Sequence, residues 1–256
     1  MTKIFAVTNQ KGGVGKTTTC VNLAASLVAT KRKVLLVDMD PQGHATLGSG
    51  VDKKDLQASV YDLLMGDLDV EAVRIATDPG GYDLIPANVD LAGAEVNLID
   101  VPQRERRLAL GLQTCLKDYD FVLIDCPPSL NLLTINALTA ARGVLVPVQC
   151  EYYALEGLTS LLDTLKRVAD SVNPGLEISG ILRTMYDPRN SLTRDVSQQL
   201  MNYFENQVFG TVIPRNIRLA EAPSYGMPVL NYDAKSKGSL AYLALAGEML
   251  RRHATS

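Results

Sequence analysis

Ten residues near the start of the chain concentrate chemistry of one kind. Asn9-Gln10-Lys11-Gly12-Gly13-Val14-Gly15-Lys16-Thr17-Thr18 sets three glycines, two lysines and two hydroxyls between an apolar run at 4–8 and a segment of helical spacing at 17–28. Glycines let a backbone approach a ligand closely and turn its N–H groups toward a phosphate at the N-terminus of the following helix. In such a loop Lys16 reaches the β- and γ-phosphates and the Thr17 hydroxyl ligates Mg2+. The pattern GxxxxGK[ST] is met at Gly15-Lys16-Thr17, but Gln10 holds its first glycine position, so the loop is a variant. A plain glycine-rich turn would need only the glycines; here strand, turn, Lys-Thr pair and helix follow in the order a phosphate site requires.

Two acidic segments complete the constellation. Val34-Leu35-Leu36-Val37 runs into Asp38-Met39-Asp40-Pro41-Gln42, and Phe121-Val122-Leu123-Ile124 runs into Asp125-Cys126-Pro127-Pro128-Ser129. Each reads as a buried strand delivering a carboxylate at its carboxyl end, where open α/β sheets bind ligands. Four apolar residues followed by Asp is a Walker B pattern, and Asp125 would hold Mg2+ through a water. Alone, that pattern is common; beside Lys16 and Asp40 it is specific. Asp38 is read as a supporting group near the metal, or as a cap of the following turn.

Lys11 is the informative extra residue. KGGxGKT[TS] is the deviant Walker A motif of the ParA/MinD superfamily, which this sequence resembles over nearly its whole length. The resemblance implies an ATPase that forms a nucleotide-sandwich dimer, with Lys11 crossing to phosphates held by the second copy. It implies a nucleotide cradle from Lys11, Gly12, Gly13, Val14, Gly15, Lys16, Thr17 and Thr18. In it DxDPQ matches switch I, with Asp40 positioning the attacking water, and DxPPS matches switch II. The late segment Ile213-Pro214-Arg215-Asn216 resembles the part of the family that borders adenine, a role carried to Pro214 and Asn216. Ile181-Leu182-Arg183-Thr184-Met185-Tyr186-Asp187-Pro188-Arg189-Asn190 is most similar to the ParA/Soj branch. That branch implies non-specific DNA binding by the ATP dimer, with Arg189 and Arg218 neutralising phosphates, and a ParB-type centromere-binding protein that stimulates an otherwise slow hydrolysis. The location implied is cytoplasmic and nucleoid-associated.

These groups need a scaffold that brings strand ends together. Apolar, β-branched runs recur at 4–8, 34–37, 82–85, 121–124, 144–148 and 178–182, with helical spacing at 17–28, 135–141 and 155–169. Alternation of this kind predicts right-handed crossovers and a doubly wound, mostly parallel α/β sheet with helices on both faces. The stretch 43–81 is the least regular, holds a short helical candidate at 60–65 and is expected to cover one edge of the sheet. Pro223, Gly226 and Pro228 punctuate a late loop. Residues 237–252 read as a closing helix with Leu240, Leu243, Leu245 and Leu250 available to the core. Without a Pro/Gly/Ser-rich linker, residues 1–256 are expected to form one domain.

Composition bounds the remaining classes. With 46% hydrophobic and 21% charged residues over 256 positions the chain can bury a substantial core, which excludes disorder. Apolar runs are strand-length and Met1 leads straight into strand-like sequence, so no membrane span or leader is expected. Cys20, Cys115, Cys126 and Cys150 lack metal spacing and are expected to be free thiols. Net charge is −3, yet residues 1–179 hold 16 Lys/Arg against 22 Asp/Glu while residues 180–256 hold 9 against 6, leaving room for a local basic surface. Three branches of the superfamily stay in view. A MinD-like positioning ATPase would end in a basic amphipathic helix, for which residues 250–256 offer too little apolar face, so no stable membrane association is expected. Cluster-loading relatives need cysteines in other places. The start at the phosphate-loop strand, with no upstream helix-turn-helix, fits a short partition ATPase.

Overall fold

The strands owe their burial to period-two alternation, with one helical layer behind each set of side chains. Phe5, Val7, Val34, Leu36, Phe121 and Leu123 pack with the helix α1 (Lys16–Ala29) and the helix Lys237–Arg252. Their neighbours Ala6, Leu35, Val37, Val122 and Ile124 pack with helices Leu132–Ala140, Ala154–Ser171 and Ser191–Phe204. A sheet buried on both faces must read as continuous apolar runs, as these do.

The computed structural model describes residues 2–254. The readings of Met1, Thr255 and Ser256 lie outside the described residues. Eight strands, β1 (Lys3–Val7), β2 (Val34–Asp38), β3 (Ile75–Ala76), β4 (Asp83–Ile85), β5 (Phe121–Asp125), β6 (Gly143–Gln149), β7 (Glu177–Tyr186) and β8 (Val208–Pro214), join in the order β3-β4-β2-β5-β1-β6-β7-β8. Every pair is parallel except β3 with β4. The chain fills one side of β1 through β5 and then crosses to β6 on the other, so the direction of winding reverses around β1 and opens a crevice at its carboxyl end.

The doubly wound α/β expectation holds, and the differences lie in added elements and in the buried face of the closing helix. β3, β8 and the helix Ser191–Phe204 are additional elements. The irregular stretch does supply an edge, since it holds β3, the outermost strand on that side, as well as the expected helix Val60–Met65. In the closing helix Leu240 is exposed, Leu243 and Leu250 are half-buried, and Tyr242, Leu245, Ala246 and Met249 face the core.

Strand β8 would present a bare edge, and the closing helix covers it. Glu248 accepts from the Gly210 and Thr211 backbone N–H groups at 2.8 and 2.9 Å, while Arg252 donates to the Val208 and Asn206 carbonyls at 2.7 and 2.9 Å. A carboxylate and a guanidinium thus occupy the ladder positions another strand would need. Replacing Glu248 by Ala should cost about 2 kcal/mol, lowering the thermal midpoint by roughly 5 °C. An unchanged midpoint in differential scanning calorimetry would contradict this account of the edge.

Candidate functional site

The glycine-rich loop sits where β1 hands over to α1, braced from the sheet. Asn9 is buried; its Nδ2 donates to the Pro147 carbonyl of β6 at 2.8 Å and its Oδ1 accepts from the Lys11 N–H at 3.0 Å. Gly13 and Gly15 have φ of +73° and +89°, a region that costs an L side chain roughly 1–2 kcal/mol. The 14-residue α1 has neither a side-chain cap nor an acid in its first turn, so its leading N–H groups suit an anion from outside the helix. Lys16 is only 8% exposed, and among the described residues its ammonium has one hydrogen-bond acceptor, the Lys11 carbonyl at 3.4 Å. Burial lowers the Lys16 pKa, opposed by Asp125, Cys126 and Asp40. A buried cation so weakly paired fits a phosphate.

The carboxylates are set by strand register. Asp38 and Asp125 are partners in the β2–β5 ladder, Asp125 is level with Val7 in the β1–β5 ladder, and both acids are fully buried. Asp125 Oδ2 accepts from the Thr17 hydroxyl at 2.7 Å. Among the described residues no group of three His, Cys, Asp or Glu side chains could hold a metal by itself. That suits Mg2+, which keeps waters and takes one or two protein oxygens plus phosphates, and Thr17 with Asp125 is such a donor pair. Asp38 takes the second of its two expected places, capping the turn that follows its strand, while it stays beside Asp125 in the ladder. Its Oδ1 accepts from the Asp40 N–H at 3.1 Å and its Oδ2 from the Thr46 N–H and hydroxyl at 2.8 and 2.7 Å, so it braces the loop that carries Asp40.

Asp40 is half-buried and accepts from the Gln42 N–H at 2.9 Å. With Gly12, Gly13, Lys16 and Thr17 it lines a cavity of about 690 Å³. A second cavity, about 300 Å³, is lined by Pro214 and Asn216 and shares Gly15, Thr18 and Met185 with the first, so the two are neighbours across the start of α1. Asn216 Oδ1 caps the next helix through the Leu219 N–H at 3.3 Å. Lys11 lies outside, its ammonium 2.7 Å from Glu151 Oε2, with both side chains about half exposed. The two arginines are not brought to the cavities. Arg189 is 88% exposed and clamped by Asp187 at 2.8 and 2.9 Å, whereas Arg218 lies between Glu221 at 2.8 Å and Asp233 at 3.3 Å. The four cysteines are free thiols, and all four are buried. Asn9 and Thr46 were missed in sequence; Asn9 directly precedes the loop, while Thr46 carries no local signal.

A doubly wound sheet with this loop at its switch point defines a P-loop ATPase, and ATP with Mg2+ is the ligand pair it takes. An AAA-domain family model matches residues 2–178. Sporulation initiation inhibitor protein Soj of Bacillus subtilis is 53% identical over 97% of this chain and 98% of its own. Chromosome partitioning protein ParA of Caulobacter vibrioides is 50% identical over 98% and 94%. A crystal structure from Mycobacterium smegmatis, titled cobyrinic acid a,c-diamide synthase with bound ATP analogue and magnesium, is 43% identical, covers 98% of this chain and 95% of that one, and superposes with a TM-score of 0.86. The chain belongs to the ParA/Soj family of the ParA/MinD superfamily. Among the described residues no helix is long and apolar enough to cross a membrane.

Burial raises the Asp125 pKa, with Asp38 adding like-charge repulsion, and burial also raises that of Asp38. A raised carboxylate pKa penalises the ionised fold, so without Mg2+ stability should fall as pH rises from the ordinary carboxylate value toward the raised ones. Binding Mg-ADP favours the ionised pair, so it should release protons wherever the raised pKa leaves the pair protonated. Calorimetry in two buffers of different ionisation enthalpy should reveal net proton release that disappears in Asp125→Asn. Equal heats in both buffers would contradict the raised pKa.

Proposed function

We propose that this chain works as one 256-residue unit, a DNA-partitioning ATPase whose ATP-bound dimer holds DNA of any sequence. One observation carries the reading: two lysines five residues apart on a single loop occupy opposite environments. Lys16 is buried at the cavity, and Lys11 stands at the surface on a half-exposed ion pair that is worth little, about 0–1 kcal/mol, and is easily exchanged. The first serves the chain's own nucleotide; the second is free to leave Glu151 for phosphates held by a second copy.

The remaining residues take roles that follow from their positions. Loop N–H groups from Gly12 to Thr18 and the Lys16 ammonium compensate phosphate charge, and Thr17 with Asp125 hold Mg2+. Mg2+, when bound, neutralises charge shared by β- and γ-phosphate oxygens. Asp40, on the loop braced by Asp38, orients the attacking water. Pro214 and Asn216 border the adenine. Arg189 and Arg218 contact DNA phosphates, Arg218 at the expense of two acidic neighbours. A ParB-type centromere-binding protein speeds hydrolysis and frees the DNA, which gives a nucleoid-associated cytoplasmic cycle. The Soj and ParA relatives, matching nearly end to end, support this reading over that of a membrane-associated positioning ATPase.

Sedimentation with plain DNA and with anionic liposomes, each with ATP, tests the choice: pelleting with DNA alone is expected, and pelleting with liposomes alone would overturn it. Lys16→Ala should abolish ATP binding, dimerisation and DNA binding together. In Asp40→Ala, ATP binding should persist while turnover drops by a factor on the order of 100, trapping the dimer; wild-type turnover would remove Asp40 from the mechanism. Arg189→Ala should weaken all DNA sequences equally and make the salt slope shallower by about 1, with ATP-dependent dimerisation intact. Undiminished DNA binding would reject that contact.

A further inference from the structure

The loop is braced a second time from a strand more than 160 residues away. Thr184, near the end of β7 and 2% exposed, donates its hydroxyl to the Val14 carbonyl at 2.8 Å. Its methyl carbon lies 3.9 Å from where a Gly15 side chain would begin. Because a trans peptide is planar, the Val14 carbonyl and the Gly15 N–H belong to one rigid unit and point in opposite directions. Holding the carbonyl outward therefore turns the Gly15 N–H inward. That N–H immediately precedes Lys16, and it has no acceptor among the described residues.

The strand is distorted where this contact is made. Successive side chains of a regular strand face opposite sides, yet Thr184 and Met185 both line the same cavity. Two local irregularities allow it: the β7–β8 register shifts between Arg183 and Tyr186, and Met185 adopts a φ of +48°. Bulges of this kind re-aim side chains beside active sites, and a non-glycine residue at positive φ persists only where its surroundings enforce it. Strain held at the step that faces the phosphate loop is the second, independent mark of a built contact.

We propose that Thr184 is a positioning residue for the nucleotide's phosphates, acting through the Val14–Gly15 peptide to aim the Gly15 N–H at the β-phosphate. The proposal rests on residues 10–17 being the phosphate loop, which Lys16→Ala tests separately. Thr184→Val keeps the shape and removes the donor; Thr184→Ser keeps the donor and removes the methyl. Mg-ADP affinity should fall about tenfold in Thr184→Val and stay within about threefold of wild type in Thr184→Ser. AMP, which lacks the β-phosphate, should compete equally well in all three proteins, a ratio that a general loss of packing would not preserve. If Thr184→Val does not fold, Thr184→Ala against Thr184→Ser decides by the same criterion. Wild-type Mg-ADP affinity without the hydroxyl, or parallel losses for ADP and AMP, would overturn the assignment. Were Lys16→Ala to lose ADP while Thr184→Val kept it, the loop reading would stand and Thr184 alone would be rejected.

Discussion

The parallel register of β1, β2 and β5 is the constraint on which the site depends. Val7, Asp38 and Asp125 end their strands at one level, and sliding either neighbour by a residue would turn its carboxylate to the opposite face. With the register as it is, one acid meets Thr17 at the head of α1 and the other gathers Thr46 and Asp40. Side chains of opposite function are thereby fixed by main-chain ladders inside an apolar double-faced core. The cost is two buried carboxylates side by side, which a divalent cation offsets on arrival.

The phosphate loop is then held from outside rather than by its own turns. Asn9 ties its start to β6 and Thr184 ties its centre to β7, so the strands on the far side of β1 hold backbone groups of the loop while those on the near side supply charge. Preorganised N–H groups need no rearrangement when a polyanion binds. Lys11 is the exception. It lies on a surface ion pair, a weakly held charge of the kind that the proposed exchange of partners requires.

What could be read in the sequence is what is encoded locally. The loop, its strand and helix, and the two apolar runs ending in Asp each announce themselves within about ten residues. Strand β8 carries Gly210 in its interior and Pro214 at its end, residues that weaken a strand pattern although an edge strand tolerates both. The Ser191–Phe204 helix carries a visible Asn190 cap, but its buried face is thin, with Val196 and Leu200 beside Thr193 and Ser197. In the closing helix the leucines were counted and the phase was not: Tyr242, Leu245, Ala246 and Met249 follow the i, i+3, i+4, i+7 pattern that excludes Leu240. Thr184 was beyond reach for a different reason, since its role arises from a register shift; the capping by Asp38 was legible, and its reach to Thr46 was not.

Under the proposed function ATP, and not ADP, lets Lys11 exchange Glu151 for a second copy. Light scattering of the purified chain with Mg2+ and a non-hydrolysable ATP analogue should give twice the single-chain mass, and with ADP the single-chain mass. Lys11→Ala should bind the analogue and remain single. A single chain under every condition, pairing indifferent to nucleotide, or pairing of Lys11→Ala as readily as wild type would contradict the account.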